Sequence, residues 1–290
     1  MTKETAIVIW NSKTKTEHFI RQANFNTEAK DFGFIVPLPS VPDFAVANPD
    51  AFSLLESLVP PPIQFGCSKP TETSGPPASA MVILKEERVG DYIATVIKAT
   101  DAAAMSSWLK KNGFKPRPQM SEWLDYYNRK NWVFAALKYA AKKGRETRTR
   151  AIRISFKTDK PHYPYKMPSD AFKPGWTRPL KLYVISDTPI QAEFMDGGSQ
   201  WQGELQWSGP LPKEKVGTLA TDLNLKSTDF PSNAVVSIFN NAHRESKYTD
   251  DLAFVATTDF GKYIWGAVIL ILGGAWFYTR RNRSLAPAGA

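Results

Sequence analysis

The sequence contains very little cysteine and histidine. Cys67 is the only cysteine among 290 residues, so neither an internal disulfide nor a zinc site built from several thiolates can form. The three histidines, His18, His162 and His243, lie too far apart in sequence for a local metal-binding motif. The sequence also lacks the HExxH, CxxC, GxSxG and phosphate-binding glycine motifs. It therefore indicates no catalytic residue, no metal site and no cofactor.

The body of the chain also lacks a large excess of either charge. Of the 37 Lys and Arg residues, four flank the C-terminal apolar segment, which leaves 33 against 28 Asp and Glu residues in the rest of the chain. This balance falls well short of the clustered positive charge of nucleic-acid-binding proteins. We therefore expect no nucleic-acid partner.

One long hydrophobic run is present, and it lies near the C-terminus. Tyr263 to Thr279 reads YIWGAVILILGGAWFYT, seventeen residues without a charge, which span roughly 26 Å as a helix. Starting the helix at Phe260, with Lys262 extending toward the headgroups, covers a hydrocarbon core of roughly 30 Å. We therefore predict a transmembrane helix over 260–279. Aromatic residues at its two ends are the expected interfacial anchors: Tyr263, Trp265, Trp276 and Tyr278.

The charges around this run predict its orientation. Acidic residues precede it, and three arginines follow it: Arg280, Arg281 and Arg283. Because basic residues favour the cytoplasmic side, we expect the tail, 280–290, in the cytoplasm and the body, 1–258, outside. The alternative, a buried core helix, is less favoured because such helices seldom carry aromatic residues at both ends. The lipid bilayer is thus an expected partner.

Small residues repeat within the run at a spacing of seven. Gly266 and Ala267 are followed by Gly273 and Gly274, and small residues let a second transmembrane helix approach closely. These residues either contact another transmembrane subunit or face lipid without a partner.

The N-terminus has neither the basic region nor the apolar region of a signal peptide. Met1 is followed by a polar stretch and then by AIVIW, which is typical of a strand. Two topologies follow from this. Either a leader upstream of Met1 exports the body, or the helix inserts as a tail anchor and the body stays in the cytoplasm.

Alternating apolar and polar residues predict an α+β body made mostly of antiparallel β-sheet. The clearest hairpin joins Ala6–Trp10 to Glu17–Phe25 through a polar turn. Two further strand pairs and one half-buried strand are predicted: Trp132–Tyr139 with Ala151–Lys157, Leu180–Ser186 with Ile190–Phe194, and Gln200–Ser208.

Two or three short helices accompany the strands. One begins after the capping pair Asn48-Pro49, a second runs from Asp101 or the residue before it to Asn112, and a third lies around 122–128. The stretch 60–80 is rich in Pro, Ser, Thr and Gly, which indicates either an internal domain boundary or a long loop.

Two groups of charged residues are candidates for function. A basic patch between two predicted strands is suited to anionic headgroups or a polyanion, although such a patch is more often a solvated hairpin tip: Lys142, Lys143, Arg145, Arg148 and Arg150. The second group combines His162 or His243 with the adjacent carboxylates Asp250 and Asp251. An enzymatic hypothesis requires these groups to converge in one concave pocket.

Five segments together resemble one bacterial family. They are AKDFGFIVPLPSVPDF, ERVGDYIATVIKATDAAAMSSWLKKNGF, WVFAALKY, AIRISFKTDKPHYPYKMP and YTDDLAF. Their order is similar to that in the envelope proteins called domain of unknown function 2330. The resemblance implies a secreted or periplasm-facing domain, commonly made with a signal peptide and often followed by a transmembrane helix. It implies no reaction. The chain departs from the pattern in starting within the first strands and in having only Cys67.

The sequence thus favours a single-pass membrane protein with an extracytoplasmic body that acts as a binding, structural or accessory subunit of a membrane complex. An envelope-acting hydrolase is the alternative. A cytoplasmic tail-anchored protein is the minor one.

Overall fold

The computed structural model of the chain describes nine stretches: 4–23, 33–59, 82–99, 101–114, 116–117, 119–140, 151–171, 179–241 and 249–257. Contacts divide the chain into the units Met1–Val255 and Ala256–Ala290, and only two residues of the second unit are described. The predicted boundary or loop at 60–80, the basic patch and the predicted span over 260–279 lie outside these stretches. Every helix found in the described stretches is too short or too polar to span a bilayer.

The described stretches contain fourteen strands. They are β1 (Glu4–Asn11), β2 (Thr16–Ala23), β3 (Gly33–Leu38), β4 (Asp43–Ala47), β5 (Val82–Val89), β6 (Tyr92–Lys98), β7 (Val133–Tyr139), β8 (Ala151–Lys157), β9 (His162–Tyr163), β10 (Leu180–Ser186), β11 (Ile190–Phe194), β12 (Glu204–Pro210), β13 (Val235–Asn241) and β14 (Leu252–Ala256).

These strands form three sheets. The largest has the order β12-β13-β10-β1-β2-β8-β4, the second β3-β7-β6-β5, and the smallest β11-β14-β9. Among the described strand pairs whose residue register is known, only β1 and β10 are parallel. The prediction of mostly antiparallel sheet is therefore confirmed.

Four α-helices lie in the described stretches, one more than the sequence predicts. They are α1 (Asp50–Glu56), α2 (Ala102–Lys111), α3 (Met120–Arg129) and α4 (Lys213–Asp222). Asp101 caps the N-terminus of helix α2, because its carboxylate accepts the Ala104 N–H at 2.6 Å. Helix α4 escapes prediction because it contains Gly217, which weakens helix propensity. Packing of Leu219 and Ala220 in the core stabilises it instead.

The elements stack in four layers. One face of the seven-stranded sheet packs against α1 and α4. Its other face packs against the four-stranded and three-stranded sheets. The far side of the four-stranded sheet is covered by α2 and α3. Each large sheet is therefore buried on both faces, which explains why its strands are rich in apolar residues at consecutive positions.

The first hairpin is confirmed, but two predicted strand pairs are wrong. Strands β1 and β2 pair as expected, from Glu4 opposite Ala23 to Asn11 opposite Thr16. Strands β7 and β8, however, belong to different sheets, and so do β10 and β11. Each of these strands pairs with other strands, so closeness in sequence does not decide their pairing.

The predicted strand 200–208 is shorter and bent. Strand β12 begins at Glu204, and its register against β13 shifts between Leu205 and Trp207. This bulge puts Leu205 against the core between the sheets and Trp207 against the core under the helices, although the alternation places both on one face.

Candidate functional site

Strand β2 positions the polar groups of the body through its alternation. Glu17, Phe19 and Arg21 share the face that meets the smaller sheets, whereas His18 and Ile20 face the opposite side. Glu17 is fully buried and Arg21 is nearly so. Two charged side chains therefore lie on a core-facing strand surface, where each needs a partner.

Glu17 pairs with His162 in the interior. The Glu17 Oε2 atom accepts the backbone N–H of His162 at 2.9 Å and lies 3.4 Å from its Nδ1 atom. Both side chains are at most 1% exposed. The rings of Trp132 and Phe156 cover the imidazole, with centroid distances of 5.0 and 5.5 Å.

Asp251 lies in the same interior region and interacts electrostatically with His162. Its Oδ1 atom accepts the Tyr127 hydroxyl at 2.9 Å and the backbone N–H of Lys166 at 3.0 Å. Tyr127 and Asp251 are both fully buried. We call Glu17, Tyr127, His162 and Asp251 the buried polar cluster.

The neighbouring carboxylate Asp250 belongs to a more exposed group. Its Oδ1 atom accepts the Tyr126 hydroxyl at 2.7 Å, and its Oδ2 atom accepts the Asp196 N–H at 2.6 Å. Lys130 pairs with Asp196 at 2.5 Å, and Lys166 lies 4.2 Å from the centre of the Tyr126 ring. We call these five residues the surface polar cluster. It continues the buried polar cluster outward along α3.

The surroundings set the protonation of the buried polar cluster. Burial alone would lower the pKa of His162, but Glu17 and then Asp251 outweigh it, so this pKa lies above its ordinary value. Burial raises the pKa of Asp251 and raises that of Tyr127 well above its ordinary range. The carboxylates of Glu17 and Asp251, and not water, therefore favour the protonated form of the imidazole.

A pocket of about 330 Å³ opens beside Arg21. Arg21 Nε pairs with Glu4 at 2.9 Å, and the two side chains are 9% and 2% exposed. The guanidinium also lies 4.6 Å from the centre of the Phe34 ring. The remaining lining comes mainly from β3, from the α2–α3 connection and from residues 164–168. The pocket thus combines a nearly buried ion pair with apolar walls.

The structure brings together part of the histidine and carboxylate group considered from the sequence. His162 and Asp251 converge, but in the core and not in the pocket, whose described lining contains neither. His18 lies on the opposite face of β2, where its Nδ1 atom is 2.8 Å from Ser155 Oγ. His243, Cys67, the basic patch and the anchor residues lie outside the described stretches. No group of three metal-binding side chains occurs among the residues that the structure describes.

Sequence reasoning missed Glu4, Glu17, Arg21 and Tyr127. The available signal was the β2 sequence TEHFIRQA, which places Glu17 and Arg21 on the same face as Phe19. A charged residue on the apolar face of a strand indicates a buried partner, but the sequence alone does not name it.

Comparison with known proteins identifies the family but no activity. The profile of a family described as "uncharacterized protein conserved in bacteria (DUF2330)" matches residues 1–209. No curated protein matches the chain.

Two solved structures are weakly similar. Mutated baculovirus P35 after caspase cleavage is 9% identical, with 88% of this chain and 93% of that chain covered and a TM-score of 0.37. The caspase-8/P35 complex gives 9% identity, coverage of 88% and 90%, and a TM-score of 0.36. Structural similarity at this low level supports no conclusion about function. The family match covers most of the chain, and the protein therefore belongs to the bacterial family DUF2330.

Proposed function

We propose that the protein is a binding or accessory subunit whose body is held at the outer face of a bacterial membrane by a helix over 260–279. The proposal rests mainly on the contacts that hold β14 in the body. This strand leads toward the predicted helix. Only residues 257–259 separate the two. In the proposed topology the predicted helix would therefore follow the body after a short connection.

Several contacts hold β14 and the residues before it. The strand is central in its sheet, with β11 on one side and β9 on the other. The Asp251 carboxylate accepts bonds from Tyr127 and Lys166, and its carbonyl accepts the Met195 N–H at 2.8 Å. Phe254 donates its N–H to Pro161 at 3.1 Å. Opening this region would break these buried hydrogen bonds and expose the apolar side chains of Leu252 and Phe254 to water, so we expect it to resist local unfolding.

The burial of this cluster argues against the alternative of an envelope-acting hydrolase. A general base must come within hydrogen-bond reach of its substrate, directly or through one water. His162 and Asp251 are 1% and 0% exposed, so a substrate has no access to them in this conformation. A structural role in holding β14 within the body needs no such access.

The partners of this subunit are proposed from the sequence. The basic patch, Lys142 to Arg150, would contact anionic headgroups, and the small residues from Gly266 to Gly274 would contact a second transmembrane helix. The basic tail would lie in the cytoplasm. The minor alternative, a tail-anchored protein, places the body on the same side as the tail.

Anchoring and orientation are tested in cells that express the gene from its own chromosomal locus, with an epitope tag after Ala290. Protease added to spheroplasts should remove the body and leave a short tagged fragment. A full-length protected chain would overturn the proposed orientation. A variant truncated after Thr257 should leave the membrane fraction, and its retention there would overturn the anchor.

The subunit role is tested on the full chain extracted from its native membrane. Sizing in mild detergent should give a particle larger than one chain with its micelle. Substitution of Gly273 and Gly274 by Leu should reduce that particle to the monomer. Val268→Leu, which exchanges one large side chain for another in the same predicted helix, is the matched control and should leave the particle size unchanged. A monomer under every mild condition would overturn the subunit role.

A further inference from the structure

Strand β3 is a sheet edge with few features that would prevent strand addition, as far as the described residues show. It forms one edge of the four-stranded sheet, and β5 forms the other. The β5 sequence VILKEERV carries four charged residues and a bulge between Ile83 and Lys85. The β3 sequence GFIVPL carries no charge. Charges and bulges prevent a further strand from pairing at an edge, so β5 is protected. Within the described sequence of β3, Pro37 is the only feature of this kind.

The pocket runs along the backbone of β3. Five consecutive residues, 33–37, line it. Successive side chains of a strand point to opposite faces, so a cavity on one face would be lined by every second residue. Consecutive lining indicates that the cavity borders the edge of the strand itself. No strand pairs with this edge among the residues that the structure describes.

Pro37 determines which backbone groups point to that edge. Proline lacks an N–H, so within a ladder it occupies a position whose N–H the neighbouring strand does not need. Pro37 lies opposite Phe134 of β7. Since hydrogen-bonding direction alternates along an antiparallel strand, Ile35 directs its N–H and C=O away from β7, as Gly33 does. These groups match the backbone of an added strand.

Apolar side chains form the wall facing this edge. Phe114, Met120, Trp123 and Met167 line the pocket together with β3. Phe114 packs so closely that a Cβ atom at Gly33 would lie 2.5 Å from its ring. The glycine therefore allows the wall to approach the strand, and the wall favours an apolar side chain as occupant.

The charges of the lining favour an acidic neighbour. Three cationic side chains and one carboxylate line the pocket: Arg21, Arg117, Lys166 and Glu4. Both arginines already have a carboxylate partner, since Arg117 lies 3.3 Å from Asp170 and Arg21 lies 2.9 Å from Glu4. Arg117 is the more exposed of the two, with 45% of its side chain accessible against 9% for Arg21. A ligand carboxylate at the pocket mouth would complement this positive charge.

We infer that the outer edge of β3 binds an extended peptide segment of a partner protein, with an apolar side chain in the pocket and an acidic residue beside Arg117. The peptide adds a strand to the four-stranded sheet, so backbone hydrogen bonds supply affinity and the pocket supplies specificity. This inference deepens the proposed binding role, but it does not depend on the anchor.

The test uses the full chain in detergent and a phage-displayed heptapeptide library. Recovered peptides should share an apolar residue next to an acidic one, and a synthetic copy should bind in fluorescence anisotropy. N-methylation of its backbone nitrogens, one at a time, should weaken binding at least tenfold at every second residue only. Recovery of no peptide, or a methylation profile without this period of two, would overturn the inference.

Two variants locate the site. Met120→Trp should fill the pocket and weaken binding at least tenfold, whereas Ile83→Trp, on the opposite edge and 49% exposed in the parent chain, should leave it unchanged. Arg117→Glu should weaken the acidic peptide and strengthen a copy with Lys in place of the acid. Equal effects of both Trp variants, or no charge reversal, would overturn the site. Failure of the membrane tests would leave these results unaffected.

Discussion

Strand β2 carries two charged side chains on one face, and their surroundings differ sharply. Glu17 pairs with His162 in a closed interior, where neither side chain is more than 1% exposed. Arg21, four residues further and about 13 Å along the strand, pairs with Glu4 at the wall of a pocket. One face of β2 thus contributes to two different places: a fully buried contact between strands, which we call the joint, and the wall of an open pocket.

The difference lies in what covers each pair. His162 belongs to β9, which pairs with β14 and lies beneath the aromatic rings of Trp132 and Phe156. The Arg21 pair instead lies below β3, whose outer edge has no strand partner within the described stretches. A buried ion pair stabilises little by itself, but removing one partner is costly. We therefore expect removal of one partner to destabilise the protein at either pair, and we expect only mutations at the pocket to change binding as well.

The largest effect is expected from Glu17→Leu. This change leaves the His162 imidazole and its backbone N–H without their acceptor, and breaking a buried pair costs about 3–5 kcal/mol. Urea unfolding of the full chain in detergent measures the loss. Asp159→Asn, in the exposed pair with Lys15, should give no detectable change. A loss at Glu17 as small as that at Asp159 would contradict the proposed joint.

The two described histidines should give opposite pH dependences. The pKa of His162 is raised, so the folded state holds its proton more tightly. Its contribution is complete below the unfolded pKa of about 6.5 and is lost as pH rises through the folded pKa. Burial, with help from Arg153, lowers the pKa of His18 to about 4. Its neutral ring therefore favours folding above about pH 6.5, and that contribution is lost as pH falls toward 4, by about 3 kcal/mol.

Urea unfolding at pH 4.5, 6.5 and 8.5 separates the two contributions. His18→Gln should flatten the stability loss on the acid side and leave the alkaline side unchanged. His162→Gln should flatten the alkaline side instead. A variant that changes both sides equally would show that the faces of β2 are not independent.

The sequence predicts the local pairing but not the distant one. The β1–β2 hairpin follows from two apolar runs and a short polar turn, and the structure confirms that the two strands pair. The pairs β7–β8 and β10–β11 fail because both large sheets are buried on two faces, so the apolar pattern does not say which sheet a strand joins. The bulge in β12 likewise leaves no mark in a pattern that alternates cleanly through Trp207.

The candidate sites were predictable only in part. The sequence offered His162 and Asp251 as candidates, and they do converge. It did not indicate their partners, because Glu17 is 145 residues from His162 and Tyr127 is 124 residues from Asp251. A sequence pattern shows that a charged residue faces the core, whereas only the fold shows what it meets there.

The smallest effect is expected when both members of the Arg21 pair are replaced. Glu4→Leu with Arg21→Met should change stability by less than about 1 kcal/mol, since apolar residues of similar volume often replace a buried ion pair without loss. Glu17→Leu with His162→Leu should still cost about 1–3 kcal/mol, because the backbone N–H at position 162 loses its acceptor. Urea unfolding of the two double variants compares them directly. Equal losses of unfolding free energy would mean that the Arg21 pair is as important for stability as the Glu17 pair. The contrast between the buried pair and the pair at the pocket would then no longer hold.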